Sequence, residues 1–112
     1  MRAGSLRHRI NFEEKALVQD PNNGEMIPGW RTVREKVPAA YEPLSSKDLF
    51  AAQAAQSQAT VRFVIRHWAG LLPTMRIVHR GKFYTIEGEP LPDRDSGLEY
   101  LTILSKTGVN DG

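Results

Sequence analysis

The feature that most limits what this chain can fold into is an alternation of apolar and polar residues at period two, repeated along its length and divided by turn signals. It is clearest from Thr60 to Trp68, where Val61, Phe63 and Ile65 fall on one side and Arg62, Val64, Arg66 and Trp68 on the other. Successive side chains of a strand point to opposite faces of a sheet, so this spacing predicts a strand with one buried face. The same alternation opens the chain: Gly4 and Ser5 run into Leu6-Arg7-His8-Arg9-Ile10. There it directs Leu6, His8, Ile10 and Phe12 toward a core and Arg7 and Arg9 outward. A strand that starts so early, with arginines before the first acid at Glu13, reads as a docked segment and not a frayed end.

Further strands follow from the same pattern. The first is expected over 6–18, closed by the turn Asp20-Pro21-Asn22-Asn23-Gly24, where proline fixes φ and Asn or Gly accepts φ > 0. The second is expected over 30–42, opening with Trp30. Pro38 interrupts it, and because proline has no N–H to give a ladder, this stretch is an edge strand, a bulge or two shorter strands. Residues 76–80 and 83–88 pair across the tight Arg80-Gly81-Lys82 connection. A last strand is expected over 98–105, with 106–112 as a flexible tail.

One segment reads as helical. Ser45-Ser46-Lys47-Asp48 has the form of a capping box, and Leu49-Phe50-Ala51-Ala52-Gln53-Ala54-Ala55-Gln56 has high helix propensity. Leu49 and Phe50 are its only large hydrophobes, so a helix of about three turns buries little here and is marginal by itself. Residues 43–58 are therefore expected to be a mobile insertion that orders against a partner. The alternative is a helix that plugs an open barrel end through Leu49 and Phe50.

Length and composition set the scale. At 112 residues and 12.6 kDa the chain fits a single domain, 1–112. Area scaling gives roughly 6,000 Å² of folded surface against about 18,000 Å² for the extended chain, a modest core. The absence of cysteine excludes a disulfide framework and thiolate metal sites. No apolar run has the length of a signal peptide's core or a membrane span, so a reducing, aqueous compartment is expected.

The net charge is only +2, but the charges are segregated. From Thr60 to Ile86 there is no acid, while Arg62, Arg66, Arg76, Arg80 and Lys82 gather with His67 and His79; Glu87, Glu89, Asp93, Asp95 and Glu99 follow. Such asymmetry steers association with nucleic acid or pairs the basic face of one subunit with the acidic face of another, and solvated strand faces are the plain alternative.

Catalytic signatures are missing. There is no nucleophile elbow, phosphate-binding glycine loop or His-Glu-x-x-His. His8, His67 and His79 are separated by long intervals, and although His67 and His79 lie on neighbouring expected strands, that pair lacks a third ligand, so no metal or other cofactor is expected. Glu87 and Glu89 share a strand face but sit among Gly88, Pro90, Pro92 and Gly97, where acids are commonly just solvated. Basic residues interleaved with Phe63, Trp68, Phe83 and Tyr84 fit an oligonucleotide-binding barrel face, although alternating aromatics more often build a core.

The ordered set of segments resembles the head-tail joining (head closure, or stopper) proteins of long-tailed bacteriophages, over nearly the whole chain. The resemblance rests on Gly4 to Ile10 as the opening strand, Gly24 or Gly29 followed by Trp30, Ala39 to Pro43, and the basic-acidic pair Lys47-Asp48. It continues through Ile65-Arg66, Arg76-Ile77 and Tyr84-Thr85-Ile86. One departure is Pro38, where many relatives carry an aromatic residue. The resemblance implies a mainly β protein, a small closed or partly open antiparallel β-barrel with one short helix or mobile loop between the second and third long strands. It implies a non-enzymatic virion protein, in the host cytoplasm during assembly, that is a monomer alone and forms a ring below the portal and its adaptor. That ring closes the DNA-filled head and offers the tail its attachment site. Double-stranded DNA passes through the lumen without sequence readout. Carried onto this chain, Ser45, Ser46, Lys47, Asp48, Leu49 and Phe50 form the DNA-retaining loop. Arg7, Arg9, Arg62, Arg66, Arg76 and Arg80 are the candidate subunit and connector interface, with contact to DNA phosphates as the alternative. A soluble nucleic-acid-binding barrel is the other reading of the whole chain.

Overall fold

The computed structural model describes residues 6–107, and within them the alternating segments pair into one seven-stranded antiparallel sheet. The strands are β1 (His8–Gln19), β2 (Met26–Pro43), β3 (Val61–Arg66), β4 (Arg76–His79), β5 (Lys82–Ile86), β6 (Leu91–Pro92) and β7 (Tyr100–Thr107), with helix α1 (Ser46–Ala54) between β2 and β3. The order is β3-β2-β1-β4-β5-β7-β6, and a further pairing of β3 with β7 closes the sheet into a ring of strands. Closure removes most open edges, which otherwise invite pairing with other chains.

Inward-facing residues fill this ring. Ile10, Phe12, Phe63, Ile65, Ile77 and Ile103 are fully buried and share one core with Val37, Tyr84 and Leu101. Fully burying one such side chain contributes about 1.5–3 kcal/mol, so alternation at these positions fixes the register of every strand. Leu6 departs from the expected pattern. It is buried, but against Ala40, Val64 and Tyr100 on the outer side, because the chain ahead of His8 leaves the strand before the alternation can apply. Trp68 departs the other way: β3 ends at Arg66, and the indole turns in to pack edge-on against Phe12, with ring centroids 5.3 Å apart.

β1 and β2 outrun the ring. β4 pairs with β1 only at Asn11, Phe12 and Glu13, and β3 pairs with β2 only from Ala39 to Pro43. Beyond those contacts Lys15–Gln19 and Met26–Trp30 pair with each other alone, as a projecting two-stranded ribbon. The molecule is correspondingly elongated, 49 × 29 × 22 Å, with a radius of gyration of 15.1 Å against about 13 Å for a compact chain of this length. Register shifts between Ile10 and Phe12 and between Phe12 and Glu13 mark where ring passes into ribbon. Lys36 takes a left-handed conformation there (φ 54°), and its N–H donates to the Asn11 side chain at 2.9 Å. Bulges of this kind bend a strand and raise its twist.

The ribbon accounts for what the sequence boundaries missed. β2 begins at Met26 and not at residue 30, since Pro28 and Gly29 lie where β2 has only β1 beside it and a proline is tolerated. Pro38 likewise sits opposite Arg9, just before pairing with β3 begins. At the other end of the chain Lys106 and Thr107 belong to β7, opposite Thr85 and Tyr84, so the expected tail does not begin at 106; its remainder, 108–112, lies outside the described residues, as do Gly4 and Ser5. The β4–β5 hairpin turns at Arg80 (φ 52°) and Gly81 (φ 77°), the two left-handed residues that a type I′ turn requires.

Candidate assembly surfaces

Cross-strand partners share a face, so Lys15 with Trp30, Leu17 with Pro28 and Gln19 with Met26 line one side of the ribbon, continuous with Glu13 on the outside of the ring. Arg76 joins the two. Its guanidinium lies 4.2 Å from the Trp30 ring centroid and 3.9 Å from that of Phe83, and its Nε and Nη2 reach Glu13 Oε1 at 2.7 Å. The result is an apolar stripe from the ribbon tip to the ring, in which Met26 is 58%, Leu17 64% and Phe83 38% exposed. Tryptophan, arginine, phenylalanine and methionine are residues enriched at protein interfaces, and contiguous apolar surface of this kind marks interaction sites.

A second surface is basic. Arg7, His8, Arg9, His79 and Arg80 line an open depression of about 490 Å³, and Lys82 lies beside it with Tyr41 and Tyr84. His8 Nδ1 and His79 Nε2 are 3.1 Å apart, and the His79 ring lies 5.0 Å from that of Tyr41. Burial, then His8 and then Arg80 push the His79 imidazole below its usual pKa. Arg9 reaches back to the backbone carbonyl of His8 at 3.2 Å.

Helix α1 stands apart from the core. Ser45 is its N-cap and accepts from the Asp48 N–H at 3.2 Å, which is one half of the capping box read from the sequence. The Asp48 carboxylate faces Arg62 Nη2 at 3.2 Å, while Arg62 Nε lies 3.1 Å from Glu42. No residue of the helix is buried, and Phe50 is 71% exposed, so Leu49 and Phe50 do not plug an end of the ring.

An acidic loop lies elsewhere, between β6 and β7. Its centre is Asp93, whose carboxylate accepts the backbone N–H groups of Ser96, Gly97, Glu99 and Tyr100. These donors hold it well below the usual carboxylate range. With Glu42, Asp95 and Glu99 it borders a depression that Arg62 and Tyr100 complete.

The arginines singled out from the sequence therefore divide. Arg7, Arg9 and Arg80 come together at the basic depression, and Arg66 stands exposed beside His67, Glu99 and Tyr100. Arg62 and Arg76 hold the fold together, the latter only 8% exposed. The stripe was not foreseen, although Trp30 opening a strand after Met26 and Ile27 carried a usable signal once Pro28 and Gly29 are admitted to the strand. The aromatics read as a nucleic-acid face do not form one open platform: Phe63 and Tyr84 are buried, Arg34 lies over Trp68 at 4.9 Å, and Arg76 lies over the ring of the partly exposed Phe83. Among the described residues no group of His, Asp and Glu could hold a metal ion, and no helix is long and apolar enough to cross a membrane.

Comparison with known proteins agrees with this architecture. A family model described as phage head completion protein matches residues 1–108. The solution structure of protein SF1141 from Shigella flexneri 2a is similar at a TM-score of 0.76 and 29% identity, over 99% of this chain and 100% of that one. A chain from the virion of a native gene transfer agent particle shares the fold at a TM-score of 0.52 and 19% identity, over 93% and 96% of the two chains. No curated protein matches the sequence.

Proposed function

Since this chain belongs to the phage head completion protein family, and is thus a structural virion component, we propose that it forms a ring in the head-tail connector, below the portal and adaptor, closing the DNA-filled head and receiving the tail. The observation that carries this reading is the ribbon. A projecting arm whose outer face exposes Leu17 and Met26 and runs into the Trp30–Arg76–Phe83 stack contributes little to its own core. It suits a neighbour that covers it.

The other surfaces fit the same assembly. Arg7, Arg9, Arg66 and Arg80 remain at the outside of the ring of strands as candidate contacts to the connector, whereas Arg62 and Arg76 act within the subunit. The segment 43–58 retains DNA in this reading. Its helix buries no residue and is tied to the strands through Asp48 and Arg62, so with Ser45 capping it, Ser46, Lys47 and Phe50 are exposed to face a lumen and Leu49 is half-exposed beside them. Contact with DNA is then to phosphates, without sequence readout, and weakens with salt.

Native mass spectrometry with purified connector tests the assembly. The expected result is a monomer alone and a defined ring on the connector, lost in the double variant Leu17→Ser, Met26→Ser, whose substitutions are exposed and leave the monomer folded. A variant that assembles as wild type removes the ribbon from the interface.

A further inference from the structure

The opening motif Leu6-Arg7-His8-Arg9-Ile10 has a use that ring assembly does not require. We propose that the depression lined by Arg7, His8, Arg9, His79 and Arg80 binds a phosphate-class oxyanion, and that the His8–His79 pair takes up one proton as it does so.

Geometry and charge carry this. The start of β1, the end of β4 and the β4–β5 turn bring the guanidinium groups of Arg9 and Arg80 and two imidazoles to the rim of one depression, which Arg7 also lines, with no carboxylate among the described residues that line it. Guanidinium forks match the paired oxygens of a tetrahedral oxyanion, and several around one hollow suit a dianion better than a lone carboxylate. Neutral aromatic groups back His79: Tyr41 from β2, Phe63 from β3 and Tyr84 from β5 stand against its ring, and among the described residues the charged side chains that line the two adjoining hollows with it are Arg7, Arg9, Arg80 and Lys82.

The imidazole pair limits the proton count. At 3.1 Å, one ring offers N–H and the other its lone pair. One added proton keeps that bond, since the donor ring can carry both its N–H groups. A second would set two N–H groups against each other. In the empty depression burial, then His8 and then Arg80 oppose a proton on His79, and a bound anion reverses the sign of the local field. Anion binding therefore raises the affinity of the pair for one proton, and by linkage lower pH tightens anion binding.

Sulfate is the direct probe, because it stays a dianion across the range in which histidine titrates. On the full chain, sulfate affinity is expected to rise about fivefold or more between about pH 7.5 and pH 5.5, with a matching upward shift of the histidine ring-proton titrations by NMR. Arg9→Gln with Arg80→Gln, both exposed, is expected to remove binding, His8→Gln to remove its pH dependence, and Arg66→Gln, away from the depression, to change neither. Inorganic phosphate and a short mixed-sequence DNA duplex then compete against sulfate. Displacement by the duplex assigns the anion to a nucleic-acid backbone, displacement by phosphate alone assigns it to the free ion, and either supports the site. Affinity that is flat with pH, equal weakening by Arg66→Gln, displacement by neither competitor, or equal displacement by a carboxylate such as acetate overturns the proposal.

Discussion

At the scale of single residues, Arg76 is the side chain on which the outer surface depends. It joins Glu13 of β1, Trp30 of β2 and Phe83 of β5 at once, and is itself 8% exposed. Its removal leaves the half-covered Glu13 carboxylate without its counter-charge and opens the stack, so Arg76→Ala is expected to cost about 3 kcal/mol by urea denaturation. Arg76→Lys should recover little of that, since an ammonium has no planar face to lie between two rings. His79 adds a pH dependence. Its pKa is lowered in the fold, chiefly by burial, so its share of stability is complete above the unfolded value of 6.5 and is lost as pH falls through the folded value. In buffer without multivalent anions the protein is expected to be less stable near pH 5 than near pH 7.5, a difference that His79→Phe reduces. Asp93 behaves in the same sense at lower pH. Four backbone N–H groups favour its ionised form, so amide shifts of Ser96, Gly97, Glu99 and Tyr100 followed by NMR should stay unchanged until below the ordinary carboxylate range.

Elements show where period two suffices and where it does not. The ring strands were legible because Val61, Phe63 and Ile65, like Ile10 and Phe12, fall on the face that enters the core, which alternation reports directly. The N-cap at Ser45 was legible from local chemistry alone. The ribbon was not, because its partner strand begins with Met26-Ile27-Pro28-Gly29, and whether a proline or glycine breaks a strand depends on which edges are open, a property of the sheet. The convergence of Arg7, Arg9 and Arg80 was hidden too, being set by strand pairing across seventy residues of chain. Gly29 shows how tightly the ribbon is built. A Cβ there would stand 2.5 Å from Val18 Cγ2, so Gly29→Ala is expected to destabilise by about 1–3 kcal/mol, and Val18→Ala to restore much of the loss. A double-mutant cycle read by thermal unfolding checks the coupling.

For the whole molecule, closure and projection divide the work. Pairing of β3 with β7 closes the core, while the ribbon projects from it and the basic depression and α1 lie at its surface. The reading as a connector subunit requires that these outward parts matter in the particle more than in the monomer. Electron microscopy of particles assembled without this protein tests that most directly. DNA-filled or leaking heads without tails, restored by the wild-type chain but not by the Leu17→Ser, Met26→Ser variant, are the expected result. Tailed, DNA-retaining particles of normal appearance in its absence would contradict the account.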